Sequence, residues 1–299
     1  QGNYQINNLT FFGGLKIAIN TYRIKNEQYR DNEFEYTYTP FINPTLGVNW
    51  EITPSTFMYT QFATTKREPQ ITSLYDAADM VGLGFWPAIQ PQFDTTSTGE
   101  FDFSTPLIYP EEVYNIELGF GTAKNNILIQ SNIYYMYFSN ELFIGELLYG
   151  YAPSYENLDE SVHYGLETEA VYHLGSKLQL TSNLSYNKSQ ILLYDKEPKL
   201  VGNEIGGFPN IILNSSIQYK LNDITLHGTL KYTGKQYTSN VNDFFVDSYL
   251  NIDIGMNYEA YGILQGLRVN CYINNLTNHL HATYGSFDSF FMNVPRNYN

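Results

Sequence analysis

Apolar and polar residues alternate with a period of two through most of this chain. In the segment Asp223–Gly234, for example, Ile224 and Leu226 alternate with Thr225 and His227. Successive side chains on a β-strand point to opposite faces of the sheet, so each such segment has one apolar face and one polar face. The pattern predicts an all-β protein with strands of about ten to fourteen residues.

The links between these segments are short and long in turn. The short links are Thr53–Pro54, Thr122–Asn125, Gly175–Ser176, Leu221–Asn222 and Glu259–Ile263. The long links are Lys66–Pro110, Ser139–Glu160, Gln190–Gly206, Lys235–Phe244 and Thr277–Ser289. Outer-membrane barrels have short periplasmic turns, long external loops and a polar lumen. The sequence therefore predicts an antiparallel transmembrane β-barrel of about twelve strands, the first at about Leu9–Ile24 and the last beginning near Phe290.

A soluble β-sandwich is the main alternative for an alternating chain, but its turn signals would recur every ~8–12 residues. A link as long as Lys66–Pro110 is uncommon in a compact domain unless it has a function. The 28 tyrosines and 19 phenylalanines favour the barrel, because aromatic residues form girdles at membrane interfaces. No apolar run approaches the ~18–20 residues of a membrane-spanning helix.

Charge and cysteine content exclude other classes of protein. The net charge of -14 argues against nucleic acid binding and suits a bacterial surface, where acidic loops would face cation-bridged lipopolysaccharide. The single cysteine, Cys271, excludes an internal disulfide framework. It lies on the apolar face of a predicted strand, where we expect a packed thiol.

Several segments resemble the barrel of TonB-dependent receptors, and they occur in the family's order. The most specific is Pro110–Gly119, PEEVYNIELG, which is similar to the family's PE-x-x-x-x-ElG element. Further matches are Leu9–Tyr22, Asn43–Pro69, Tyr164–Ala170, Gly234–Tyr237, Cys271–Gly285 and Pro295–Asn297. The resemblance implies a barrel of about 22 strands closed around an N-terminal plug. Residues 1–299 would be its C-terminal portion. The signal peptide, the plug, the TonB box and the first strands are then expected in a longer polypeptide.

The same resemblance implies the function and the partners. Such proteins bind a scarce nutrient, namely an iron chelate, haem, cobalamin or a glycan, and import it across the bacterial outer membrane with energy from the TonB complex. The expected partners are the protein's own plug domain, TonB, lipopolysaccharide and a surface lipoprotein. No cofactor is expected. The alternative is a passive porin, a complete barrel of about 12 to 16 strands whose two ends meet in the wall.

Three acidic residues are predicted to face the lumen. An ionised carboxylate that points into lipid is costly, so Glu117, Glu167 and Glu169 should lie on the polar face. The resemblance places plug-facing groups at Glu117 and Glu167. The simpler interpretation is that these carboxylates only satisfy hydrogen bonds in the lumen.

Two long links are rich in aromatic residues that could contact a flat or sugar-like ligand. The predicted ligand-binding residues are Tyr75, Phe85, Trp86, Phe93, Phe101 and Phe103 in the first link and Tyr149, Tyr151 and Tyr155 in the second. The alternative is that most of these rings pack the loops against each other.

No catalytic motif is present, and we predict neither an enzyme nor a metal site. Ser161 and His163 share one face of a strand, which leaves a barrel hydrolase as a minor hypothesis. His279 and His281 form an H-x-H pair that could chelate a metal ion, but we expect both side chains to be exposed to solvent.

Overall fold

The computed structural model describes residues 1–26, 33–75, 91–148, 152–260, 262–286 and 288–298. The strands are β1 (Gly2–Ile6), β2 (Leu9–Ala18), β3 (Thr21–Ile24), β4 (Phe34–Thr37), β5 (Phe41–Thr53), β6 (Thr56–Arg67), β7 (Phe93–Thr95), β8 (Phe101–Pro106), β9 (Glu111–Lys124), β10 (Ile127–Leu148), β11 (Ala152–Leu174), β12 (Leu178–Leu193), β13 (Ile211–Leu221), β14 (Ile224–Thr233), β15 (Gln236–Tyr237), β16 (Phe245–Val246), β17 (Tyr249–Glu259), β18 (Arg268–Asn274), β19 (Ala282–Ser286), β20 (Ser289–Met292) and β21 (Asn297–Tyr298). The helical segments are α1 (Ile71–Leu74) and the 3-10 turns Pro198–Leu200 and Gly262–Leu264.

Thirteen strands form one sheet in the order β1-β2-β5-β6-β9-β10-β11-β12-β13-β14-β17-β18-β21, and all neighbours are antiparallel. The other strands pair as β3–β4, β7–β8, β15–β16 and β19–β20 within the long connections. The prediction of a large antiparallel all-β sheet is confirmed. Among the described residues, no helix is long and apolar enough to cross a membrane.

The two ends of the sheet differ from the sequence prediction. The predicted first strand Leu9–Ile24 is divided into β2 and β3, because β3 leaves the sheet to pair with β4. An additional strand, β1, pairs with β2. Phe290 does not begin the last strand of the sheet, because β20 folds back onto β19 as a local hairpin. The last described strand of the main sheet is β21, which pairs with β18.

Tight turns lie at one end of the sheet, which we call the turn end. The links at Asn7–Asn8, Pro54–Ser55, Asn125–Asn126 and Asn222–Asp223 have only two residues. Asn7, Asn125 and Asn222 adopt positive φ angles of 52°, 55° and 52°, a conformation that asparagine tolerates and that the commonest two-residue hairpin turns use. The four small two-stranded sheets lie at the opposite end, the loop end. The predicted alternation of short and long links is therefore confirmed except between β10 and β11.

The prediction of a long link over Ser139–Glu160 is wrong. Strands β10 and β11 continue to pair far beyond the point where β9 ends, through Glu141↔Leu158 and Phe143↔Glu156. They form a projecting hairpin, residues 140–148 and 152–159, which we call the arm. Both faces of the arm contact other loops, so the arm does not have one apolar and one polar face. Its acidic and amide residues therefore obscured the strand pattern in the sequence.

The register separates an apolar face from a polar face along the whole sheet. One row of paired residues runs Leu180↔Ile217↔Gly228↔Ile254↔Ile273, and its large side chains are exposed or partly exposed. Cys271 lies on this apolar face and is exposed, so the expectation of a packed thiol is wrong. The side chain has no partner layer because this face is the outer surface of the sheet.

Glycines on the polar face leave room for aromatic side chains close against the sheet. The Tyr59 ring covers Gly119, and the Tyr134 side chain covers Gly165, so a Cβ atom at either glycine would collide with the ring. A Cβ at Gly165 would also collide with the carbonyl oxygen of Tyr186 on β12. Such close approach is a usual reason for a glycine in the middle of a strand, and it pins the register of the sheet.

The assignment of faces predicts that the same substitution has unequal effects at neighbouring positions. Ile133 is 58% exposed on the apolar face, whereas Asn132 lies on the polar face opposite Glu167. Ile133→Lys should destabilise the membrane-inserted protein by about 2–4 kcal/mol, the usual effect of lysine in lipid. Asn132→Lys, beside a carboxylate, should change stability by less than about 1 kcal/mol. Urea unfolding of the full-length protein in vesicles measures both, and equal effects would contradict the assignment.

Candidate functional site

The three predicted lumen carboxylates lie on the polar face of neighbouring strands. Glu117 on β9 pairs with Gln61 and Tyr134 and accepts a 2.7 Å hydrogen bond from Asn115 Nδ2. Glu167 and Glu169 on β11 face Asn132 and Gln130 of β10. The register therefore brings all three into one polar band. Their role toward a plug remains a prediction.

Most of the described aromatic residues of the first predicted ligand loop are packed against each other. Tyr75 and Phe93 are 3% and 2% exposed, and Phe101 and Phe103 pack on the same cluster. Phe93 lies 4.9 Å from the ring of Phe34 and 5.2 Å from that of Phe103, which joins β7–β8 to β3–β4. Tyr75 and Phe93 therefore serve as core residues of the loops and have little surface left for a ligand.

The other predicted aromatic residues divide into two groups. Tyr155 lies on the arm, is partly exposed and is not part of this cluster. Phe85, Trp86, Tyr149 and Tyr151 lie outside the described residues.

The arm lies between two clusters of loop residues. Leu142 packs against the cluster of Phe34, Phe41 and Phe93. The adjacent residue Phe143 points the other way and packs against a second cluster. That cluster consists of Leu158, Ile191, Tyr194, Leu200 and Ile205. Consecutive residues of a strand point to opposite sides, so one strand of the arm joins both clusters into a continuous layer.

A cavity of about 700 Å³ opens on the second side of the arm. Its walls come from the arm, from the connections β12–β13 and β14–β17, and from the β19–β20 hairpin. The lining includes Glu141, Phe143, Glu156, Tyr194, Phe208 and Tyr284. This volume lies within the range of pockets that bind small molecules, and the mixture of rings with a few polar groups is typical of them.

Glu156 organises the polar part of the cavity. Its Oε2 atom accepts hydrogen bonds from the Tyr194 hydroxyl at 2.6 Å and from Lys196 Nζ at 3.0 Å. Burial, followed by the hydrogen bond and charge of Glu156, raises the pKa of the Tyr194 phenol well above its usual value. Tyr194 therefore stays protonated and remains a hydrogen-bond donor at physiological pH.

Ser161 and His163 meet at a carboxylate, Glu141, at the edge of the cavity. The Ser161 hydroxyl donates to Glu141 Oε2, and His163 Nε2 lies 2.9 Å from Oε1. A serine hydrolase needs the serine hydroxyl to donate to the histidine, with the acid behind it. Here the carboxylate occupies the middle position and Ser161 is fully buried, so the geometry contradicts the minor hydrolase hypothesis.

Two walls of the cavity are fixed to each other by asparagine side chains. Asn242 Oδ1 accepts from the backbone N–H of Glu204 at 2.8 Å, and Asn242 Nδ2 donates to the Glu204 carbonyl at 2.8 Å. Asn240 Oδ1 accepts from the Gly206 N–H at 2.9 Å. Because these side chains replace backbone partners, the β12–β13 and β14–β17 connections form one ordered wall.

The H-x-H pair differs from the expectation in part. His279 is exposed, but His281 is 9% exposed and stacks on Tyr249 at 4.1 Å between ring centroids. Burial lowers the pKa of His281, which keeps this imidazole neutral at neutral pH. In the part of the chain that the structure describes, no group of three His, Cys, Asp or Glu residues could hold a metal ion.

A wide antiparallel sheet with an apolar outer face, tight turns at one end and packed loops at the other defines an outer-membrane type of β-barrel. Residues 1–276 match the family described as TonB dependent receptor-like, beta-barrel. The chain therefore belongs to this family. Its barrels are outer-membrane proteins that act as transporters and not as enzymes.

Solved structures with the same fold include an uptake receptor and two transporters. The ferric yersiniabactin uptake receptor FyuA from Yersinia pestis is 15% identical, with a TM-score of 0.70 over 97% of this chain and 42% of that one. The copper transporter OprC is 12% identical, with a TM-score of 0.75 over 99% and 45%. The ferric citrate transporter FecA in the unliganded form is 16% identical, with a TM-score of 0.74 over 98% and 42%.

This chain thus spans less than half the length of each of these three proteins. No curated protein sequence matches it significantly.

The asparagine-linked wall predicts a local loosening when one side chain is removed. Asn242 has a positive φ of 63°, so Asn242→Gly keeps the backbone conformation and deletes only the amide bonds. The wall should lose about 1–2 kcal/mol of local stability, seen as faster amide hydrogen exchange at residues 203–207. Asn222→Gly, at a φ of 52° in the far turn, is the matched control. Unchanged exchange in Asn242→Gly would show that the amide bonds do not hold the wall.

Proposed function

We propose that this chain is the C-terminal portion of the barrel of a TonB-dependent transporter, which imports a scarce nutrient across the outer membrane. The proposal rests on the family match over residues 1–276 and on the cavity at the loop end. External binding, rearrangement of the plug and passage through the lumen would follow in sequence, with energy supplied through TonB. No covalent step is needed.

The cavity is the observation that carries the ligand-binding part of the proposal. Its volume of about 700 Å³ suits a compact small molecule such as an iron chelate, haem, part of cobalamin or a short glycan. Phe143, Phe208 and Tyr284 offer ring surfaces, and Glu156 and Lys196 offer charges. A ligand held here would lie beside the polar face that leads into the lumen.

Aromatic residues outside the cavity lining keep their predicted role as further ligand contacts. Phe85 and Trp86 fall between β6 and β9 in the sequence, and Tyr149 and Tyr151 fall between β10 and β11. We propose that these rings add contacts to a ligand bound at the loop end.

The proposed partners follow from the same arrangement. We propose that Glu117, Glu167 and Glu169 face the plug domain, since they form a polar band at the height where β9, β10 and β11 are fully paired. The apolar face would contact membrane lipid and, at the loop end, lipopolysaccharide. A surface lipoprotein would approach the outer side of the loop layer.

A passive porin is less well supported. A closed barrel of 12 to 16 strands requires the first strand to pair with the last. Among the described strands, β1 pairs only with β2 and β21 pairs only with β18, so both edges remain available for further strands. This favours a segment of a larger barrel.

The transporter proposal predicts energy-dependent uptake. A strain that lacks the full-length protein should lose growth on one limiting nutrient among iron chelates, haem, cobalamin and glycans. Reintroduction of the full-length gene should restore this growth. A protonophore should abolish uptake of the labelled nutrient, because uptake is coupled to TonB. Uptake that is insensitive to the protonophore, with ion conductance of the purified protein in the absence of ligand, would instead indicate a porin.

Two matched substitutions connect that uptake to the cavity. Tyr284 lines the cavity and is 50% exposed, whereas Tyr109 is 52% exposed and lies outside the lining. Tyr284→Ala should weaken binding of the identified nutrient by roughly 5- to 30-fold, the loss expected for about 1–2 kcal/mol of ring contact. Tyr109→Ala should leave binding unchanged. Equal effects would place the ligand elsewhere.

A further inference from the structure

The base of the arm is a point where the sheet loses one of its ladders. Strand β10 pairs with β9 only as far as Ser139↔Glu112. The next residue, Asn140, has a φ of 57°, which is unusual for a residue in a strand. On the β9 side, the residue before Glu111 is Pro110, which has no N–H to donate. From Leu142 onward, the outer edge of the arm needs hydrogen-bond partners other than a neighbouring strand.

A carboxylate replaces the missing ladder at this point. Glu111 Oε2 accepts a hydrogen bond from the backbone N–H of Leu142 at 3.1 Å. The second oxygen, Oε1, accepts from Arg67 Nη2 at 3.0 Å, and Arg67 lies directly opposite Glu111 on β6. The Glu111 side chain is only 10% exposed, although that of Arg67 is 64% exposed. One buried carboxylate therefore ties a barrel strand to the first residues of the arm.

A second side chain completes the attachment from the other strand of the arm. Asn157 Oδ1 accepts from the Tyr109 N–H at 2.8 Å, and Asn157 Nδ2 donates to the Tyr109 carbonyl at 3.0 Å and to the Asn140 carbonyl at 2.8 Å. The backbone two residues before Glu111 is thus held by a side chain from the arm. Glu111 thus adds a charge-assisted bond to these neutral ones, and charge-assisted bonds are individually stronger.

Leu142, whose backbone N–H is bound by Glu111, is part of the cavity wall. Leu142 lies between Glu141 and Phe143, and all three line the cavity. Leu142 itself packs against the first loop cluster. Fixing the Leu142 backbone therefore sets the direction of the residues on both sides of it.

We propose that Glu111 is a positioning residue, which sets the orientation of the arm and thereby one wall of the cavity. The role concerns the position of the arm whatever the ligand is, and only its effect on ligand binding rests on the proposed function. Glu111 and Arg67 belong to the segments Pro110–Gly119 and Asn43–Pro69, which the sequence singled out without a role for either side chain.

An ion pair without a bond to the arm would not set the orientation of the arm. The chain offers such a pair for comparison. Glu112, the next residue, points to the opposite face of β9 and lies 3.7 Å from Lys66, which faces it on β6. Both side chains are partly exposed, and a loose pair near the surface contributes little to stability. No hydrogen bond from the arm reaches Glu112 in the described residues. Glu112→Ala and Glu111→Ala therefore remove the same charge from adjacent positions, but only the second removes the attachment of the arm.

The test measures the position of the arm in the full-length protein in lipid nanodiscs. Spin labels are attached at Tyr155→Cys on the arm and at either Thr98→Cys or Val201→Cys on the flanking loops, in a Cys271→Ser background. Pulsed electron spin resonance gives the two distance distributions. We expect one narrow distribution for each pair in the parent protein and in Glu112→Ala. Glu111→Ala should broaden both distributions and shift their maxima in opposite senses as the arm moves between the two loops.

Conservative variants keep the test decisive if Glu111→Ala fails to fold. Glu111→Gln retains one acceptor oxygen and should broaden the distributions less than alanine does. Arg67→Ala frees the carboxylate to rotate and should broaden them as well. Distributions in all three variants that match the parent protein would overturn the proposal. Equal broadening in Glu112→Ala would also overturn it, because it would show an effect of lost charge rather than of the Leu142 bond.

Discussion

The antiparallel ladder of the main sheet is the constraint on which the rest of this structure depends. In lipid, every backbone N–H and C=O must find a partner within the protein, and a sheet achieves this only when each strand is paired on both sides. Eleven of the thirteen strands are paired in this way, and the two end strands are each paired on one side. Once the ladder fixes the register, the alternation of side chains fixes an apolar face and a polar face. Tyr59 and Tyr134 can then lie close against Gly119 and Gly165.

The loop end obeys the same requirement by other means. Where the ladder ends, side chains replace backbone partners: Glu111 and Asn157 at the base of the arm, and Asn240 and Asn242 in the opposite wall. The aromatic residues fill the space between the small hairpins. The result is a packed layer with a preformed cavity, and a preformed site loses less conformational entropy when it binds a ligand.

The sequence alone predicts those parts of the structure that local chemistry determines. Period-two alternation and the short links between the segments predicted the hairpins and their faces, including the polar positions of Glu117 and Glu167. The arm was missed because Glu141 and Glu156 look like loop residues, and their partners Ser161 and Lys196 lie far along the chain. The cavity has four contributing segments, so no local pattern marks it. The burial of His281 depends on stacking with Tyr249, a contact between separate elements.

The central claim is that this sheet is one part of a larger, plugged barrel, and the intact mass of the native polypeptide from purified outer membranes tests it most directly. The described sheet leaves both edges open and spans less than half of the related structures. The account predicts a mass more than twice the 34.4 kDa of these 299 residues. A native mass close to 34.4 kDa would contradict it, because no chain would remain to close the barrel or to form a plug.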